Sequence, residues 1–346
     1  MRRRAIDRAI DRASARAHAL ARTCVLAATL ATGCAPGATR APATRASAPS
    51  ARLTSQDLLR RLGYADTARL VIIHADDMAM TPGVTRATVA ALARGTVSSA
   101  SILAPPVYLW ESASLVPPGS DWDLGVHLAL TSETASMRWL SAAGRRRARS
   151  LAEPDDRLPL ALPPRLRLSD LERELRAQVA RVRAAGYTPT HLDSHQGALL
   201  FSGPERFEVL RRVARAECLP IPVPESYFER FPYLAGALDD GQVPVANLVS
   251  IEPTITPEKW SGFYQWVFEH LQPGVTVLIV HLGEDSESER ALFRDHVEYD
   301  AAWRVRDNTV VSGGALRALA QQHGARIVTW REVAKAARIC MAPANP

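Results

Sequence analysis

From about Leu53 onward, apolar and polar positions alternate along the chain in two rhythms. Short apolar runs rich in β-branched residues, RLVIIHA (69–75), TVSSASILA (96–104), WDLGVHLAL (122–130), TPTHLDSH (188–195), CLPIPVP (218–224), NLVSIEP (247–253), VTVLIVHLG (275–283) and ARIVTW (325–330), have the length and composition of buried strands. Between them apolar positions recur every three to four residues. In SDLERELRAQVARVRAAG (169–186), Leu171, Leu175, Val179 and Val182 form one stripe, Ser169 and Glu172 have capping-box spacing, and Gly186 suits a C-terminal stop. Strands apolar on both faces and separated by helices predict a parallel sheet covered on both sides. Eight such units in roughly 290 residues fit a distorted (β/α) barrel of about 7–8 parallel strands better than an open sheet.

One stretch breaks the rhythm. Residues from about 131 to 165, SETASMRWLSAAGRRRARSLAEPDDRLPLALPP and its flanks, form an Arg- and Pro-rich insertion, read either as a solvated loop or as a flap contacting substrate. With no internal repeat, residues 53–346 are expected to be a single barrel domain carrying this insertion. The first 52 residues follow neither rhythm. MRRRAIDRAIDRASARAHALAR and then TCVLAATLATGC give the charged, apolar, small-residue order of a secretory signal, too short for a lasting membrane span. Ala31-Thr32-Gly33-Cys34 resembles a bacterial lipobox, and the Pro/Ala-rich residues 35–52 have the composition of a tether. The expectation is a signal peptide over 1–34 and an exported lipoprotein facing the periplasm or cell exterior, touching the membrane only through Cys34.

Charge supports that division. Of the formal +6, residues 1–52 hold ten Arg and two Asp, a net +8, so the remainder carries −2. The body has no basic footprint for nucleic acid. Cys218 and Cys340 are the body's two cysteines; an oxidising compartment would let them pair, but isolated cysteines without a motif are read as unpaired.

The chemistry gathers at strand ends. LVIIHADDMAMTPG closes an apolar strand with His74, Asp76 and Asp77, and adjacent buried carboxylates are costly unless something pairs with them. His127, then His191, Asp193 and His195, then His281 end other strands, and in a parallel barrel those ends converge on one face. A lone histidine there is usually structural; four such coincidences are not. Two imidazoles and a carboxylate suit a divalent cation with an open position for water. On a strand, His191, Asp193 and His195 share a face. Asp193 is then an acceptor orienting an imidazole, and His195, nearest the strand end, is the better ligand. Asp193-Ser194-His195 is not a serine-hydrolase triad, because adjacent residues point apart and no G-x-S-x-G elbow exists.

At HADD (74–77), GVHLALT (125–131), PTHLDSHQG (189–197) and HLG (281–283) the chain resembles the YdjC-like (ChbG/HpnK-type) carbohydrate deacetylases, over roughly residues 68–335. The resemblance implies a barrel of the polysaccharide-deacetylase type and a divalent metal, Zn or Mg, held by Asp77, His127 and His195. It further implies Asp76 as general base and His281 as acid or transition-state stabiliser. His74 stands where the family has Asn, Gly197 where it usually has another His, Leu282 in place of Pro, and Met78-Ala79-Met80 in place of an aromatic-glycine pair. His74, His191 and Asp193 are left as supporting or substrate-contacting residues. The implied reaction is hydrolysis of an N-acetyl group from a sugar or oligosaccharide. Trp110, Trp139 and Trp260 are the candidates for stacking on sugar rings, against the commoner fate of core or rim aromatics. Two rivals remain: a non-catalytic glycan-binding lipoprotein on the same fold, and a metal-dependent hydrolase of another amide or ester.

Overall fold

The computed structural model describes residues 53–236, 238 and 242–339. The expected signal peptide, Cys34 and linker lie outside these residues, as does Cys340.

The strands are β1 (Arg69–Met78), β2 (Ser99–Leu103), β3 (Leu124–Leu128), β4 (Leu192–Ser194), β5 (Ile221–Pro224), β6 (Gln242–Val245), β7 (Asn247–Ser250), β8 (Gly274–Val280) and β9 (Arg326–Ile327). Each of the eight runs legible in the sequence overlaps one of them; β6 is the addition. Every ladder is parallel. A seven-stranded sheet runs β4-β3-β2-β1-β8-β7, with β9 also on β1, and β5 pairs with β6 in a second sheet. Single backbone bonds join the two: Leu192 N–H donates to Pro220 O at 2.9 Å, and Ala246, between β6 and β7, donates to Val275 O at 2.7 Å. The result is a distorted barrel, regular around β1 and loosely held around β4 and β5.

Residue parity in β1 explains its layers. Leu70 and Ile72 pack with Val243, Val245, Val275, Val277 and Trp330 in one apolar cluster at the lower end. Val71, Ile73 and Ala75 belong instead to the larger cluster made with the surrounding helices. Burying each of these Leu, Ile and Val side chains contributes about 1.5–3 kcal/mol. The next two residues of the Leu70–Ile72 face are His74 and Asp76, so that face turns from apolar to polar toward the strand's C-terminal end.

The helix Leu168–Ala184 buries the expected stripe of Leu171, Leu175, Val179 and Val182. Its start corrects the expected capping box. The cap residue is Arg167, with no side-chain cap bond, and Ser169 lies inside the first turn. Glu172 pairs with Arg176 and Arg212 instead. Gly186 takes φ +97° after the last turn, as a stop residue should. Cys218 is disulfide-bonded, against the reading from isolation in sequence. No described helix is long and apolar enough to cross a membrane.

The insertion is not a solvated loop. Met137, Trp139, Ala148, Leu151 and Leu158 are buried, and Met137 and Trp139 join Met80, Leu103 and Phe293 in a cluster of their own.

Candidate metal centre

Strand register sets the site. Ala75 pairs with Val280, so Asp76 and His281 leave neighbouring strands side by side. Leu103 pairs with His127, and His127 with Asp193. Between Ala75 and Met78 the β1–β2 register slips, and there Asp77 adopts φ +69° and Ala79 φ +74°. Consecutive strand residues normally point to opposite faces. The bulge removes that constraint and brings both carboxylates into one site, at a backbone cost of order 1–3 kcal/mol. Just beyond it, Thr81 caps the helix Pro82–Ala93, accepting from Val84 N–H. Glu289 accepts from Thr81 Oγ at 2.5 Å and from Gly83 N–H at 2.8 Å, fixing the chain's exit.

Asp77 Oδ1, His127 Nε2 and His195 Nδ1 form a nearly equilateral triangle. Asp77 Oδ1 lies 3.3 Å from His127 Nε2 and 3.2 Å from His195 Nδ1, and the two nitrogens are 3.2 Å apart. All three residues are buried. Each imidazole spends its other nitrogen on a carboxylate: His127 Nδ1–H donates to Asp193 Oδ1 at 2.8 Å, and His195 Nε2–H donates to Glu133 Oε2 at 2.7 Å. Those bonds fix which nitrogens face Asp77. Donor atoms about 2.0–2.2 Å from a tetrahedral zinc stand about 3.3 Å from one another. The three atoms therefore fit a divalent cation in both type and spacing.

The charges around the triangle shift its titration. Burial opposes charge on His127 and His195, but Asp193 and Asp76 raise the first well above its ordinary value, and Glu133 and Asp77 raise the second to about 9. Asp77 is disfavoured as an anion by burial, yet Arg304, donating to its Oδ2 at 2.9 Å, and the two imidazoles hold it well below the carboxylate range. A cation competing for these lone pairs releases protons.

Asp76 sits beside the triangle, its Oδ2 3.7 Å from His127 Nε2. His74 Nε2 reaches both Asp76 Oδ1 at 3.1 Å and Asp193 Oδ2 at 2.9 Å, while its Nδ1 meets Ser99 Oγ at 3.1 Å. Burial works against its charge, but Asp193 and Asp76 raise His74 to about 9. Of the three aligned residues of the THLDSH segment, only Asp193 keeps to a strand, because β4 ends at Ser194 and His195 begins a 3-10 turn. Ser194 Oγ accepts from Leu199 N–H at 2.8 Å, a turn role. His191 stays behind His74, its Nδ1 on Thr190 Oγ at 2.9 Å and its ring stacked on Trp330 at 5.2 Å. Burial holds it well below its ordinary value. Gly125 makes room for it: a Cβ there would come within 2.3 Å of His191 Nε2.

His281 completes the group from the β8 side. Its backbone N–H donates to Asp307 Oδ2 at 2.7 Å, and its ring lies 5.1 Å from that of Trp303. Burial lowers His281 to about 4, so the ring is neutral near pH 7. Asp307 also accepts from Tyr264 and Trp260, and burial raises it to about 6.

Sequence reasoning missed Glu133, His296, Arg304, Asp307 and Ser101. Glu133 sits in the insertion without a motif. Arg304 and Asp307 are three apart on the helix Ala301–Ser312, a spacing that marks one helix face but not what it faces. Gly283, in the HLG segment, lets that helix approach: a Cβ there would lie 2.9 Å from Arg304 Cβ. Of the tryptophans, Trp260 is buried on Asp307, Trp139 is buried with its ring 5.6 Å from that of His195, and Trp110 is exposed.

Comparisons with known proteins identify the family and the fold. The model of a family described as YdjC-like protein matches residues 70–322. The chain is 32% identical over 294 residues to a carbohydrate deacetylase of Thermus thermophilus, covering 81% of this chain and 99% of that one. It is 30% identical over 158 residues to a carbohydrate deacetylase of Geobacillus stearothermophilus, covering 44% of this chain and 59% of that one. In fold it is similar to the crystal structure of a putative cellobiose-phosphate cleavage protein of Enterococcus faecalis, with TM-score 0.65 and 21% identity over 77% of this chain and 99% of that one.

Proposed function

This chain belongs to the YdjC-like family, and from that premise we infer that it is a carbohydrate deacetylase, a hydrolase of the acetamide bond on an acetylated sugar. Its dependence on a metal is our reading of the site. The observation that carries it is the triangle of Asp77 Oδ1, His127 Nε2 and His195 Nδ1, with both imidazoles backed by carboxylates. Two imidazole nitrogens in a three-atom set favour zinc or a similar transition ion over magnesium, which prefers oxygen. Such an ion would polarise the acetyl carbonyl and activate water for attack at neutral pH.

The protein's own groups divide the remaining work. Asp76 takes the proton from the attacking water, a contribution of roughly 10²–10⁴-fold for a placed general base. His74 occupies Asp76 Oδ1 and leaves Oδ2 on the His127 side. When the C–N bond breaks, acetate forms and the sugar nitrogen must gain a proton; the proton collected by Asp76 is the one at hand. His281, neutral at rest, is better suited to hydrogen-bond developing charge than to deliver a stored proton. Arg304 balances Asp77 through its other oxygen.

The test is acetate release from a panel of N-acetylated mono- and oligosaccharides, with and without chelator. Activity that chelator abolishes and zinc restores is expected. Activity indifferent to thorough chelation sinks the metal dependence, and a folded, metal-loaded protein releasing no acetate from any sugar favours a glycan-binding role.

Export as a lipoprotein anchored at Cys34 belongs to the same proposal. It rests on the order of segments in residues 1–52 and on the disulfide at Cys218, since disulfides persist in oxidising compartments.

A further inference from the structure

The two histidines of the triangle are backed in the same way, but by different parts of the chain. Behind His127 stands Asp193, and behind Asp193 stands His74, at 2.8 and 2.9 Å. Behind His195 stands Glu133, and behind Glu133 stands His296, whose Nε2–H donates to Glu133 Oε1 at 2.6 Å. Asp193 is on β4, next to His127 in register. Glu133 comes from the insertion, 62 residues from His195 and 163 from His296. No local backbone geometry obliges it to be there.

Holding the insertion in place does not explain Glu133. The same segment is fixed to the helix Leu168–Ala184 by Glu174, which accepts from Ala142 N–H at 2.9 Å and from Ala143 N–H at 3.0 Å, and by buried Met137 and Trp139. A carboxylate whose side chain is only 3% exposed is costly to bury. Both of its oxygens go to imidazoles, with Gln196 Nε2 at 3.3 Å as the further donor. Accepting the Nε2–H of His195 leaves Nδ1 to face Asp77 Oδ1.

We propose that Glu133 is the positioning residue of His195, and that the insertion supplies this part of the metal centre. His296 holds the second oxygen of Glu133 and so fixes the carboxylate's orientation. The proposal rests on the metal-centre reading given above.

The test compares wild type with Glu133→Gln, Glu133→Leu and His296→Gln. Zinc affinity is measured at pH 7 by competition with a chromogenic chelator. The ring nitrogens of His195 are followed by ¹⁵N NMR in the zinc-loaded protein, and the fold of the cation-free protein by circular dichroism. Loss of a partner that orients a ligand typically weakens metal affinity by about 10–100-fold. The expected Kd increase is about 10-fold for Glu133→Gln, which keeps an acceptor but loses the charge, and up to about 100-fold for Glu133→Leu. A smaller increase is expected for His296→Gln. In wild type the proton sits on His195 Nε2; in Glu133→Leu that signal should be lost or exchange-broadened. A folded Glu133→Leu with wild-type zinc affinity and an unchanged His195 spectrum overturns the proposal. If that variant does not fold, Glu133→Gln decides by zinc affinity alone, since its amide oxygen still accepts from His195 Nε2–H: a wild-type Kd overturns the proposal. Wild type that binds no zinc brings down the metal-centre reading itself, and this proposal with it.

Discussion

Asp76 and Asp77 differ in what surrounds them. Asp77 faces two imidazole nitrogens with one oxygen and Arg304 with the other, whereas Asp76 is held by His74 and lies farther from His127. Asp77→Ala should therefore lose metal, read by elemental analysis of the purified protein. Asp76→Asn should keep metal and fold but lose about 10²-fold or more in kcat, because an amide does not accept the water's proton. If the two phenotypes come out exchanged, the roles of the carboxylates are exchanged too. His74 gives a pH signature in the cation-free protein. Its pKa rises from the ordinary 6.5 to about 9, so its stabilisation is fully present below pH 6.5 and is lost as pH rises through 9. The shift corresponds to about 3 kcal/mol. Urea unfolding of wild type and His74→Asn should show a stability gap that narrows by about that amount between pH 6 and pH 10. A gap independent of pH would mean that His74 is not the bridging imidazolium.

At the scale of elements, β1 and its neighbours decide where chemistry is allowed. Apolar residues fill one end of its inner face, and the same face becomes His74 and Asp76 at the other. Small residues on adjacent strands admit the imidazoles: Ser99 and Ser101 on β2 meet His74, and Gly125 on β3 admits His191. Gly125→Ala should overpack this layer, since the new Cβ would meet an imidazole buried against Trp330. Overpacking of this kind costs about 1–3 kcal/mol, visible as a lower urea midpoint. A wild-type midpoint would show that His191 shifts freely. The insertion belongs here too. Its Arg- and Pro-rich composition leaves a solvated loop and a substrate-contacting flap both open; in the fold Trp139 packs beside His195 and Glu133 reaches behind it.

At the scale of the whole molecule, a barrel makes one end of its strands the site, which is why residues from 74 to 307 meet. Whether that barrel hangs from a membrane depends on residues outside it. Under the lipoprotein proposal, Cys34→Ser should move the protein from the membrane to the soluble fraction after export. Unchanged membrane association would remove the anchor and leave an ordinary secretory signal.

The ligand set Asp77, His127 and His195 comes from the family resemblance; legible in the chain itself are eight of the nine described strands, the helical stripe of Leu171, Leu175, Val179 and Val182, and the gathering of His and Asp residues at strand ends. These are local facts: periodicity follows from backbone geometry, and strand ends in a parallel barrel share one face. Capping of the helix at Leu168 departs from the sequence pattern, because Ser169 and Glu172 satisfy a spacing rule while Glu172 pairs with Arg176 and Arg212. Tertiary structure alone decided that a bulge at Asp77 turns two adjacent carboxylates into one site, since φ +69° is not encoded in residue type. It alone brought Arg304 to Asp77 and Glu133 to His195, across 227 and 62 residues. Those contacts arise from the packing of the helix Ala301–Ser312 and of the insertion over the barrel's open end. A contact between distant segments leaves no periodic trace in either one.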